Sequence, residues 1–145
     1  MHSKAFLQSE LHFLVVNDVG HMRHVIVSLL RELGYIKVSE AEDGEMALRS
    51  FKLARSVGAP INFVITDCAM PFMDGLSLIR SIRSKPEMHE LPILMVTGEA
   101  TRHNILAAAE AGADGYIVRP FKAAILRAKI DGVLAKKGML SAASI

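Results

Sequence analysis

Five short apolar runs alternate along this chain with five longer segments whose apolar residues recur at helical spacing. Runs of this kind, rich in β-branched residues and bounded by turn formers, read as strands buried on both faces. They are Leu11 to Val16, Tyr35 to Val38, Ile61 to Asp67, Ile93 to Val96 and Tyr116 to Val118. Between the first two, Met22, Val25, Ile26, Leu29, Leu30 and Leu33 mark a helix that Gly34 stops. Asp43-Gly44 opens a second helix, with Met46, Ala47, Phe51 and Leu53, and Gly58-Ala59-Pro60 closes it. Leu76, Leu78, Ile79 and Ile82 predict a third, broken at Pro86. An alanine-rich fourth runs from Thr101 to Ala111 and stops at Gly112, and a fifth follows Pro120 and ends near Gly138. Such alternation implies right-handed crossovers and a doubly wound α/β fold, a five-stranded parallel sheet with helices on both faces. The expected unit is one domain over residues 1–145, with its core at about 11–137 and loose termini at 1–10 and 138–145.

Bulk properties narrow the function classes. A chain of 145 residues supports a single core. Its apolar fraction of 51% and mean hydropathy of +0.31 are high, yet no stretch approaches the roughly 20 residues that span a bilayer. No membrane insertion is expected. Residues 1–10 lack the basic start and apolar block of a secretory signal. The lone cysteine, Cys68, excludes an internal disulfide framework and suits a reducing cytoplasm. A net charge of +2 with scattered basic residues gives no footprint for nucleic acid. The histidines show no metal-ligand spacing with Cys68, and His21 and His24 read as a solvated helical face.

Chemistry gathers at the strand ends. The first strand ends in Asn17-Asp18, the third in Asp67, the fourth in Thr97 and the fifth in Arg119. Open α/β sheets place their sites at the carboxyl edge, where these groups would converge. Two carboxylates brought together repel unless a cation joins them, and hard oxygen ligands suit Mg²⁺. Thr97 offers a hydroxyl and Arg119 a permanent cation. The set suits a tetrahedral oxyanion held against a carboxylate, as in an aspartyl phosphate. Pro120 restricts Arg119 to extended backbone. Each residue has a plainer role: Asp18 as a helix cap, Thr97 as a partner of the next turn, Arg119 as a surface charge.

The segments Val15-Val16-Asn17-Asp18, Ala41-Glu42-Asp43-Gly44, Val64-Ile65-Thr66-Asp67, Met70-Pro71-Phe72-Met73-Asp74-Gly75, Val96-Thr97-Gly98-Glu99 and Gly115-Tyr116-Ile117-Val118-Arg119-Pro120-Phe121 resemble the receiver domain of two-component response regulators. The likeness is strongest to the stand-alone chemotaxis type and covers about Phe13 to Lys137. It implies a flavodoxin-like (CheY-like) fold with strand order 2-1-3-4-5. It also implies that Asp67 accepts a phosphoryl group from a phosphohistidine on a sensor histidine kinase. Asp18, Asp67 and the backbone carbonyl of Ala69 would bind Mg²⁺, with Asn17 joined through water. Thr97 would bond the phosphoryl group and move toward it. Tyr116 matches an aromatic that turns inward on activation, and Ala100, Arg102, Ile105, Phe121 and Lys129 match the output face. The implied output partner is a flagellar motor switch or another protein target, and the implied state is a cytoplasmic monomer.

Two positions depart from the family pattern. Asn17 stands where a second acidic residue is usual, which predicts weaker Mg²⁺ binding than in a three-acid site. Arg119 replaces lysine with a longer, planar fork. Both leave open a degenerate receiver that binds partners without phosphate. A phosphatase using a strand-ending aspartate would want a second one two residues on, where this chain has Ala69. A signalling switch without turnover of a substrate is therefore expected. No DNA-binding or catalytic output domain is expected either, since the chain ends soon after the fifth helix. The lone Cys68 points away from Asp67 on extended backbone and reads as an inert thiol.

Overall fold

A computed structural model describes residues 4–6, 10–68, 70, 73–99 and 101–141. Seven strands and five helices occur among them, in the order β1 (Lys4–Phe6), β2 (His12–Val16), α1 (Gly20–Glu32), β3 (Lys37–Ala41), α2 (Gly44–Ser56), β4 (Phe63–Asp67), α3 (Gly75–Ser84), β5 (Ile93–Thr97), α4 (Arg102–Ala111), β6 (Gly115–Val118), α5 (Ala123–Lys136) and β7 (Met139–Ser141). The main sheet is parallel throughout, in the order β3-β2-β4-β5-β6. Numbered within that sheet alone, this is 2-1-3-4-5, the expected doubly wound order.

Alternation along the strands divides the core in two. Phe13, Val15, Phe63, Ile65, Leu94, Val96 and Ile117 face Ile26 and Leu30 of α1 and Leu126 and Ile130 of α5. Leu14, Val16, Val64, Ile93 and Met95 face Phe51 of α2, Leu78 and Ile82 of α3, and Ala108 and Ala111 of α4. A side-chain period of two makes each strand serve both layers, which is why these strands read as unbroken apolar runs. α4 contributes only Ala108 and Ala111 as buried residues, so it is the helix least anchored by apolar burial.

Two expectations are corrected. The second strand begins at Lys37, not Tyr35. Gly34, at φ 95°, ends α1 with its N–H on the Arg31 carbonyl and the Tyr35 N–H on the Leu30 carbonyl. This is the paired-bond stop that a left-handed glycine permits, and it turns Tyr35 into the core, its ring 4.8 Å from that of Phe13. Edge strand β3 then carries mostly polar residues. The ends were expected to be loose at 1–10 and 138–145. Instead Lys4–Phe6 and Met139–Ser141 pair as a separate parallel two-stranded sheet. Met139 also packs against the α1–α5 side of the core.

Candidate functional site

Strand register sets the site. Val16 pairs with Thr66, and Asp67 with Val96. One step beyond the first pair, Asn17, just past the end of β2, stands opposite Asp67, the last residue of β4. Asp67 shares the face of its partner Val96, on the α1–α5 side of the sheet.

Asp67 is buried at the end of β4. Its Oδ1 accepts from the Cys68 N–H at 2.8 Å and lies 3.8 Å from an Arg119 guanidinium nitrogen. Burial pushes the carboxyl pKa above its ordinary value; Arg119 and the Cys68 N–H oppose this, and the Asp18 charge adds to it. A buried carboxylate facing one cation at long range, with a second acid nearby, is short of positive charge. Its backbone is held by α3, where the Asp74 carboxylate caps the helix by accepting from the Ser77 N–H and the Gly75 N–H donates to the Cys68 carbonyl. A Cβ on Gly75 would collide with the Asp67 carbonyl, so the close approach of α3 to β4 requires glycine there.

Arg119 is aimed at Asp67 and is not an ordinary surface charge. Its backbone N–H donates to the Thr97 carbonyl at 2.9 Å, the Arg119–Pro120 peptide is cis, and a guanidinium nitrogen lies 3.2 Å from where a Cβ on Gly98 would stand. Gly98 thus leaves the space that the longer side chain occupies. Asp18 is exposed beside the buried Asn17. It does not cap α1, whose cap is Val19 without a side-chain bond. Thr97 is buried and locally engaged: its hydroxyl donates to the Glu99 carbonyl at 2.9 Å and accepts from the Glu99 N–H at 3.2 Å. The plainer role expected for Thr97, bonding the next turn, is thus the one occupied. Ala69 and Ala100 lie outside the described residues.

Asn17 is the surprise. It is fully buried, its Oδ1 accepts from the Val19 N–H at 2.9 Å, and its Nδ2 has no partner among the described residues. The Asn17 carbonyl accepts from Arg23 at 2.8 Å. Nothing in the pattern of residue types foretells which end of an amide faces a site.

The donor set fits Mg²⁺. Asp18 and Asp67 supply two carboxylates that interact with each other, and this ion takes one or two carboxylates with water and phosphate oxygens. The Nδ2 of Asn17 has no lone pair for a metal.

Farther from Asp67, Tyr116 is half-buried and the Lys129 ammonium sits 5.0 Å above its ring. These two, with Phe121 and Ile125, line a groove of about 450 Å³. Arg102 is exposed and Ile105 half-buried on α4; neither lines that groove. A second groove of about 460 Å³, lined by Met22, Val25 and Leu29 of α1 with Arg119 and Phe121, adjoins the site itself. The sequence reading missed it, although α1 signals it by the exposed Val25. Among the described residues no helix is long and apolar enough to cross a membrane.

Known proteins match this arrangement. A family model described as the response regulator receiver domain matches residues 13–131. The chemotaxis protein CheY-3 of Vibrio cholerae is 42% identical over 130 residues, spanning 90% of this chain and 96% of that protein. The chemotaxis protein CheY of Pseudomonas aeruginosa is 42% identical over 120 residues, spanning 83% and 93%. Among solved structures, the receiver domain of a sensor histidine kinase from Pseudomonas aeruginosa, with a magnesium ion coordinated in its active site cleft, superposes with a TM-score of 0.72. It is 30% identical and spans 88% of this chain and 97% of that one.

Proposed function

The chain belongs to the response regulator receiver domain family, of the CheY type, and we propose that it is a phosphoacceptor switch charged at Asp67 by a sensor histidine kinase. The observation that carries this is the buried Asp67 carboxylate facing the Arg119 guanidinium at 3.8 Å. That gap leaves a cation beside the nucleophile without tying it up in a short ion pair. In the reaction an Asp67 oxygen attacks the phosphorus of a phosphohistidine. An O–P bond forms as the P–N bond breaks, and the departing imidazole nitrogen takes up a proton from its surroundings. Arg119 and the Cys68 N–H favour the ionised Asp67 that a nucleophile requires, opposing the larger effect of burial. Asp18 and Asp67 would hold Mg²⁺, with the Ala69 carbonyl as the family implies; the ion, when bound, neutralises charge on the transferred oxygens. The apolar groove along α1 offers the donor protein a surface beside Arg119.

The new dianion draws on donors that now point elsewhere. Thr97 would exchange its bonds to Glu99 for a charge-assisted one to a phosphoryl oxygen. That releases the turn leading into α4, the helix with the least buried apolar surface. The output face that the family implies, with Arg102, Ile105, Tyr116, Phe121 and Lys129, then changes its preferred conformation and its affinity for an output protein. Relatives named as chemotaxis proteins favour a chemotaxis-type pathway, in the cytoplasm and as a monomer, with no substrate turned over beyond the Asp67 phosphate itself. Adding beryllofluoride, a phosphoryl mimic, and recording backbone amide NMR shifts tests the switch. Shifts reaching residues 101–121 are expected; shifts confined to the surroundings of Asp67 would remove it.

A second reading is a receiver that binds its partner without phosphate, favoured by the amide at Asn17 where a carboxylate is usual. Partner binding unchanged by Asp67→Asn would select it.

A further inference from the structure

The register Val16↔Thr66, continued by one step, sets Asn17 opposite Asp67 at the carboxyl edge of the sheet. Adjacent strands are about 4.8 Å apart, so the two side chains emerge as neighbours. The orientation of the Asn17 amide is not arbitrary. Its Oδ1 accepts from the Val19 N–H at 2.9 Å; turning the amide over would set two donors against each other. The end left over is therefore the NH₂, buried and without a partner among the described residues. A buried donor left unsatisfied is uncommon in native proteins and calls for an explanation. A metal ion cannot satisfy it, because the amide nitrogen has no available lone pair. A metal-bound water is a poor partner too, since it turns its lone pair to the metal and presents its hydrogens. What fits is an acceptor oxygen, and one carrying negative charge makes the strongest bond. Asp67 already shares Oδ1 between the Cys68 N–H and Arg119, and a phosphoryl group there would bring three acceptor oxygens.

We propose that Asn17 is a phosphoryl-binding residue, its Nδ2 donating to an oxygen of the group carried by Asp67 while Arg119 engages the same group. The inference rests on Asp67 being the phosphoacceptor. An amide in this place also removes a negative charge that would repel the incoming oxyanion. Two protein donors thus take over part of the neutralisation that a third carboxylate would have left to the cation.

The test uses the ¹⁵N-labelled protein with saturating Mg²⁺ and beryllofluoride as probe. The side-chain NH₂ signals of Asn17 are assigned by their absence from Asn17→Asp. On addition of the probe these signals should move downfield and their exchange with solvent should slow. Asn17→Ala should bind the probe roughly tenfold or more weakly, the loss typical of one hydrogen bond to a charged group. The wild-type signals decide the matter even if the variant fails to fold. Asn17 signals that stay still while the Cys68 and Thr97 amides move would overturn the proposal and leave the function of Asp67 intact. No movement anywhere would remove the phosphoacceptor reading, and this proposal with it.

Discussion

Two Asp–Arg pairs sit at opposite ends of the same sheet, and they are built for opposite purposes. At the end where the strands begin, the Asp114 side chain is 6% exposed and accepts from Arg83 at 2.9 Å, with Lys137 at 3.1 Å and the Ile93 N–H at 2.8 Å. Arg83 also donates to the carbonyls of Gly112, His89 and Leu91. At the other end the Asp67 side chain is about as buried, 8% exposed, yet its arginine stands 3.8 Å away and among the described residues one backbone N–H is its short bond. A satisfied buried pair joins chain segments and adds order. An under-satisfied one stores the capacity to bind something else. The two carboxylates are about equally buried, so the difference lies in hydrogen-bond completion and in the extra cation, Lys137, that Asp114 has and Asp67, among the described residues, lacks.

The largest effect should come from Asp67→Asn, which removes the nucleophile and should abolish phosphoryl uptake as read by intact mass. The same change should raise the melting temperature at neutral pH. Burial raises the Asp67 pKa in the folded state, so the protonated form favours folding and stability is lost as pH rises from the unfolded value, about 3.9, through the folded one. The advantage of Asp67→Asn should therefore vanish in melting curves taken below about pH 4. Next comes Asp114→Ala, which leaves the half-buried Arg83 without its carboxylate. Loss of about 3 kcal/mol is expected, the scale for breaking a buried pair, and a fall in melting temperature of roughly 10 °C. Phosphoryl uptake by the folded fraction should be unchanged; if it fell with stability, the division between the two ends would be wrong. Arg119→Ala should weaken binding of a phosphoryl mimic about tenfold or more, while stability moves little, because its ion pair is long. Gly98→Ala, which brings a Cβ to 3.2 Å from the guanidinium, should give a smaller loss in the same assay, and Arg119→Lys in that background should recover it.

What could be read from residue types alone was the set of groups that break an apolar run. Asp67 and Arg119 each follow an apolar run on a strand, so their polarity marks the sheet edge without any knowledge of packing. The stops at Gly34 and Gly112 were legible for a similar reason, since a left-handed cap is a local need. Tyr35 misled because its aromatic ring and the following Ile36 look like a strand, whereas the glycine before it turns the ring into the core. The β1–β7 pair carries no local sign, as it depends on segments at opposite ends of the chain. Asp114 and Arg83 likewise carry no local sign of their pairing, 31 positions apart. At the site, the orientation of the Asn17 amide depended on one backbone N–H, that of Val19, which no residue pattern reveals.

The account stands on Asp67 being the atom that is charged. Intact-mass measurement after incubation with a small phosphodonor, with and without Mg²⁺, tests this directly. One added phosphoryl group in the wild type and none in Asp67→Asn is the predicted result. An unmodified wild type with Mg²⁺ present, or an equal addition to Asp67→Asn, would contradict it.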